Sequence, residues 1–118
     1  MRLIVAGSRT FNNYELLRNE IVKNFPTQYE DGSLEIVSGM ARGADSQAVD
    51  FAFVHMLTLH EYPAEWDKYG KSAGYRRNED MAKNADALIA FWDGVSKGTK
   101  HMIDLAHKYK LRVVVVKF

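Results

Sequence analysis

A chain of 118 residues with 47% hydrophobic and 26% charged residues has the make-up of an ordinary globular protein and room for one domain, 1–118. Disordered and fibrous classes are excluded, and no apolar run is long enough to span a bilayer, so no membrane partner is expected. Sixteen Lys and Arg against fifteen Asp and Glu leave a formal net charge of +1, while the absence of cysteine removes disulfide and thiolate chemistry.

Met1 to Ala6 is too short an apolar run for the core of a secretory signal. Together with the lack of cysteine, this predicts a cytoplasmic protein, in the host cytoplasm if the source is viral. The same run, from Arg2 to Ala6, has the length of a buried strand. Asn12 followed by Glu15 reads as a capping box opening a first helix, with Leu17, Ile21 and Phe25 at helical spacing and Pro26 closing it. Leu34 to Val37 is a second strand, and Ala44, Ala48, Ala52 and Met56 mark a second helix.

Leu57 to Tyr62 predicts a third strand, followed by a connecting loop, Pro63 to Ala73, that carries Trp66, Tyr69 and Gly70. Met81, Ala82 and Ala85 mark another helix, and Ala87 to Phe91 a fourth strand. Met102, Ala106 and Tyr109 mark a last helix before a fifth strand, Leu111 to Val116. Strand and helix alternate, and right-handed crossovers then give a three-layer, Rossmann-like, doubly wound α/β fold with a mostly parallel sheet of five strands. The expected order is 3-2-1-4-5, taken partly by analogy with small doubly wound domains.

Four turns after strands could carry chemistry. Gly7, Ser8 and Arg9 suit either a plain strand-to-helix turn with a solvated arginine or a backbone that lets an anion approach. Ser38 to Asp45 holds Gly39, Ala41, Arg42 and Gly43 before an alanine-rich helix. Its uncovered N–H groups suit an anion, although the glycines also serve tight turning and Asp45 suits a helix start. Gly74 to Met81 places Arg76 and Arg77 early in a helix, where the dipole prefers anions, so that Arg77 either clamps a phosphate or is solvated. Asp93, Gly94, Ser96, Gly98 and Thr99 form a second small-residue turn at a helix start.

Phosphate-loop, dinucleotide-fingerprint and zincin motifs are missing. His55, His60, His101 and His107 lack metal-ligand spacing, so no metal site and no resident cofactor are expected.

Read together, Gly7-Ser8-Arg9 with Phe11, Ser38 to Asp45, Pro63-Ala64 with Trp66 and Tyr69-Gly70-Lys71, Ala73-Gly74 with Arg77-Asn78 and Met81, and Ala90 to Gly94 with Ser96, Gly98-Thr99 and Ile103 resemble the YspA-type branch of the SLOG superfamily. That superfamily also holds the lonely guy enzymes and the DNA-processing protein DprA. The resemblance spans nearly the whole chain. It implies a Rossmann-like domain binding a nucleotide or nucleotide-derived molecule at Gly7, Ser8, Arg9, Gly39, Ala41, Arg42, Gly43, Asp45, Trp66, Arg77, Asn78, Asp93, Gly94, Ser96, Gly98 and Thr99.

Lonely guy enzymes cleave the N-glycosidic bond of nucleoside monophosphates with an arginine and the glutamate of PGGxGTxxE. Arg77 matches the arginine. Met102 stands at the glutamate position, and Val95 and Ser96 stand where the paired glycines would be, so that hydrolysis would need a displaced carboxylate such as Asp45 or Asp93.

The leading expectation is a sensor or sequestering module for a nucleotide-like ligand. In it phosphate lies at Gly98-Thr99 and Arg77, ribose near Asp45 or Arg42, and base against Trp66 or Tyr69. The alternatives are a nucleotide N-glycosidase, with Arg77, Asp45 and Asp93 as catalytic candidates, and DprA-like binding of single-stranded DNA. The near-neutral charge argues that nucleic acid is not a partner. A homodimer is an open expectation from relatives that pair through helices.

Overall fold

The computed structural model describes residues 1–118. Five strands, β1 (Arg2–Gly7), β2 (Glu35–Ser38), β3 (Leu59–Glu61), β4 (Ala87–Trp92) and β5 (Arg112–Lys117), form one sheet in the order β3-β2-β1-β4-β5. Every pairing is parallel, with Ile4 opposite Val37 on one side and Leu88 on the other. This is the expected order, and the parallel pairing follows from the alternation of strand and helix, which forces a crossover between successive strands.

Helices cover both faces: α1 (Tyr14–Asn24), α2 (Pro26–Asp31), α3 (Ala44–Val54), α4 (Trp66–Tyr69), α5 (Ala73–Lys83) and α6 (Lys97–Lys108). The pleat divides β1 between two cores. Leu3 and Val5 pack with Phe11, Leu17, Ile21 and Phe51 on the α1 and α3 side, while Ile4 and Ala6 pack with Met81, Met102 and Ala106 on the α5 and α6 side. Leu3, Ile4, Leu88 and Ile89 are fully buried, each side chain contributing about 1.5–3 kcal/mol by leaving water. β5 is an edge strand: Val113, Val114 and Val116 are half-buried and Val115 is exposed, so the expected buried run does not share the cover given to β1 and β4. No helix is long and apolar enough to cross a membrane.

Three local expectations are corrected. The residue capping α1 is Asn13, whose Oδ1 accepts the Leu16 N–H at 3.0 Å; Asn12 instead accepts from Gln47 Nε2 at 3.1 Å. Pro26 closes α1 and also opens α2, because a proline at the first helical position loses no hydrogen bond. The expected loop from Pro63 to Ala73 contains α4 and a 3₁₀ turn over Gly70–Ser72, too short for apolar periodicity to reveal.

The strand order reverses between β1 and β4. Helices connected to those strands leave toward opposite faces, and a crevice opens at their carboxyl ends.

Candidate functional site at the carboxyl edge

The crevice is framed by backbone bonds that join the turns after β1 and β4. The Ser8 N–H donates to the Phe91 carbonyl at 3.0 Å, and Ser8 Oγ accepts from the Asp93 N–H at 3.2 Å. Asp93 Oδ1 accepts the N–H groups of Ser96 at 2.8 Å and Val95 at 2.9 Å. These bonds, that of Ser96 foremost, hold the Asp93 carboxyl below the usual carboxylate range. Ser8, Asp93 and Gly94, whose φ is +85°, thus shape the turn, and none of the three lines the clefts described below.

The Asp93 turn delivers the start of α6. Ser96 makes no side-chain cap bond, and the first N–H there with a backbone acceptor is that of Lys100, which donates to the Ser96 carbonyl at 3.2 Å. The N–H groups of Lys97, Gly98 and Thr99 precede that first bond and carry the positive end of the helix dipole. A Cβ at Gly98 would meet nothing within 4 Å, so the approach to these donors is open. Thr99 is buried, with Oγ1 3.1 Å from Ser96 Oγ.

The bend after β2 supplies the opposite wall. Ser38 Oγ donates to the Asp45 carbonyl at 3.0 Å and accepts the Met40 N–H at 3.1 Å, while Asp45 Oδ2 accepts the Ala41 N–H at 3.3 Å. Gly43 has φ +77°, and a Cβ there would collide with the Ser8 carbonyl and the Arg9 backbone. The glycine therefore brings the two bends into contact.

Arg77, on α5, reaches over this bend: Nη1 donates to the Gly39 carbonyl at 2.5 Å and Nε donates to Asn78 Oδ1 at 2.9 Å. Asp45 is buried beside it. Desolvation pushes its carboxyl up to about 6, against the opposing charges of Arg77 and Arg9 and the Ala41 N–H. Burial also lowers the Arg77 value, as does the like charge of Arg9, while Asp45 raises it.

Arg9, Ala41, Asp45, Arg77, Asn78, Ser96, Gly98 and Thr99 together line a narrow cleft of about 90 Å³, with Gly7 behind and Met102 in its wall. The elements thus bring Arg9, Arg77 and Thr99 to one rim. Two wider clefts adjoin it. One, of about 300 Å³, lies between Gly39–Arg42 and Pro63, Ala64 and Trp66; the other, of about 220 Å³, is bounded by Trp66, Lys71, Gly74 and Tyr75. Arg9 and Arg77 line all three, and Trp66 stands between the wider two.

Lys71 and Tyr75 were not expected among the site residues. Lys71 lies in the 3₁₀ turn, for which spacing carried no signal, and Tyr75 in the first turn of α5 that follows it. Tyr69 faces a separate cleft with Glu61 and Asp80, and Arg76 lies over its ring at 4.5 Å while donating from Nε to Ser72 Oγ.

A family model described as the YspA, cpYpsA-related SLOG family matches residues 1–69, more than half of the chain. The chain belongs to this SLOG family. It is also 31% identical over 123 residues to the gene 61 protein of Mycobacterium phage D29, covering 96% of this chain and 94% of that one.

Among solved structures, that of DNA processing protein A from Helicobacter pylori is similar to this SLOG chain with a TM-score of 0.65 and 17% identity. The alignment takes in 98% of this chain and 64% of the Helicobacter protein, whose structure concerns a single-stranded DNA binding mode. That neighbour overturns the expectation that nucleic acid is not a partner. The physical fault in the expectation is that a net charge of +1 averages over the whole surface, whereas Arg9, Arg42, Lys71 and Arg77 are gathered along one rim.

Proposed function

We propose that this SLOG chain binds a nucleotide or nucleotide-derived molecule at the β1/β4 crevice, as a sensor or as a protein that sequesters its ligand. The observation that carries the reading is the convergence of Arg9, Arg77 and the open first turn of α6 on one cleft. Two guanidinium groups and a helix N terminus favour a dianionic phosphate, and the narrow cleft has room for little more than that group. The wider clefts on either side of Trp66 would take the sugar and base, with the indole as a stacking surface.

The same geometry weighs against glycosidase chemistry. At the lonely guy glutamate position Met102 is 1% exposed and apolar, and Asp93 is held by its own turn. Asp45 is the carboxylate left in the cleft, hydrogen-bonded to Ala41 and close to Arg77. Binding without turnover is the consistent outcome.

Isothermal titration against mononucleotides, ADP-ribose, NAD and cyclic dinucleotides tests the reading, with base release followed by chromatography. A saturable heat with one of these and no free base is expected; silence across the panel sinks the proposal.

A second reading, binding of single-stranded DNA, is favoured by the likeness to the Helicobacter protein and by the cationic rim beside Trp66. Anisotropy of a labelled oligonucleotide at rising salt separates the two. A salt-sensitive signal competed by no mononucleotide supports this second reading over the first.

A further inference from the structure

Asn78 lies in α5, 7% exposed, and its amide is surrounded by groups whose hydrogen-bonding sense is known. Arg77 Nε, 2.9 Å from Oδ1, is only ever a donor. The Gly98 carbonyl, 3.4 Å from Nδ2, is only ever an acceptor. The amide is therefore oriented without ambiguity, since the flipped form would set donor against donor at Arg77 and acceptor against acceptor at Gly98. Its remaining N–H points at His101 Nδ1, 3.2 Å away, which must then be a lone pair, with the ring proton on Nε2.

Every polar capacity of this amide except a second lone pair on Oδ1 is spent on the protein. We propose that Asn78 is a positioning residue of the crevice: it ties the Arg77 guanidinium to the first turn of α6, with His101 Nδ1 as its obligatory acceptor. The two anion-binding elements come from different helices, and this amide is the side chain that bonds to both. The functional consequence rests on the reading that Arg77 and the α6 start hold a phosphate; the hydrogen-bond relay itself does not.

Protonating His101 would place an N–H against an N–H. The groups facing the ring are Tyr75, packed edge-on at 4.4 Å between centroids, and Asn78 and Glu79 on α5, with Asp104 on its own helix. Burial keeps the imidazole below its ordinary value, while Asp104 and Glu79 pull it upward. The neutral Nε2–H form is the one that fits the relay.

The test uses the full chain uniformly labelled with ¹⁵N, so that histidine ring nitrogens and backbone amides are both read. Ring nitrogen shifts should report the Nε2–H tautomer for His101 and a titration midpoint below 6.5. Asn78→Asp, whose carboxylate would accept from Arg77 and from a protonated His101 while losing the donor to the Gly98 carbonyl, should raise that midpoint by about one pH unit or more, which a merely structural role would not do. An Nδ1–H tautomer in the wild type overturns the relay, and this reading needs no variant to fold.

Sulfate, dianionic throughout the range, then probes the site through the amide shifts of Gly98 and Thr99 at pH 8. Asn78→Ser should weaken sulfate about tenfold. Sulfate binding unchanged in Asn78→Ser overturns the positioning role. Ring readouts as expected, with no sulfate bound by the wild type, would uphold the relay and count against the phosphate reading.

Discussion

Arg77 Nη1 lies 2.5 Å from the carbonyl oxygen of Gly39, a residue 38 positions away in the chain. This bond places a cation from α5 over the bend that joins β2 to α3. A Cβ added at Gly39 would come 2.7 Å from Nη1 and 2.8 Å from Asp45 Oδ2, too close for either group to stay. Gly39→Ala should therefore displace a flexible side chain end and leave the backbone in place. Expected is a loss of ligand affinity of about tenfold or more, with stability within about 1 kcal/mol of wild type. Calorimetry and urea unfolding on the same samples check the two halves.

Asp45 carries a stability cost with a definite sign. Its folded carboxyl titrates at about 6 against an ordinary 3.8, so the native state holds its proton more tightly than the unfolded chain does. The contribution from the neutral acid is complete below 3.8 and is lost as pH rises through about 6. The difference corresponds to about 3 kcal/mol. Asp45→Asn keeps an acceptor for the Ala41 N–H without the buried charge. It should be more stable than wild type by about 1–3 kcal/mol at pH 7.5, and that advantage should close by pH 3.5. Urea midpoints across this range decide it; an advantage that is independent of pH would refute the assignment.

Gly43→Ala is expected to act on the fold itself. The substitution meets both a left-handed φ of +77° and the backbone of Ser8 and Arg9, neither of which is a flexible tip. A loss of about 2–4 kcal/mol is expected, seen as a lower melting temperature. A variant melting with the wild type would mean that the two bends are not in contact.

Trp66 is half-exposed between the two wider clefts, whereas Trp92 Nε1 is engaged with the Ser96 carbonyl at 3.1 Å. Ligand entry should therefore change the emission of the wild type and leave that of Trp66→Phe nearly unchanged. Trp66→Ala should weaken binding about tenfold, the scale of one lost stacking surface. An undiminished affinity would move the base away from the indole.

The strands are legible because their apolar runs are continuous, and alternation with helices makes the sheet parallel; the switch point rests on a strand order that local patterns do not fix. Capping was less legible: Asn12 and Asn13 are equivalent in sequence, and only the path of the chain into α1 selects Asn13. α4 is illegible for a related reason, since four residues cannot display a helical period. The crevice residues Arg9, Gly98 and Thr99 are recognisable as small or cationic groups in turns after strands, and Arg77 as a cation early in a helix, which are local properties.

Sequence alone determined which residue types follow each strand, and the alternation with helices put Gly7, Gly39 and Gly98 on one rim of a parallel sheet; the order β3-β2-β1-β4-β5 needed analogy with small doubly wound domains as well. What those residues do there was decided by partners distant along the chain. Asp93 serves its turn because Val95 and Ser96 turn back on it, Asn78 faces inward because Gly98 and His101 await its amide, and Asp45 holds a proton up to about 6 because packing removes its water. Hydrogen-bond polarity and desolvation act over ångströms in space, and only the folded chain sets those distances.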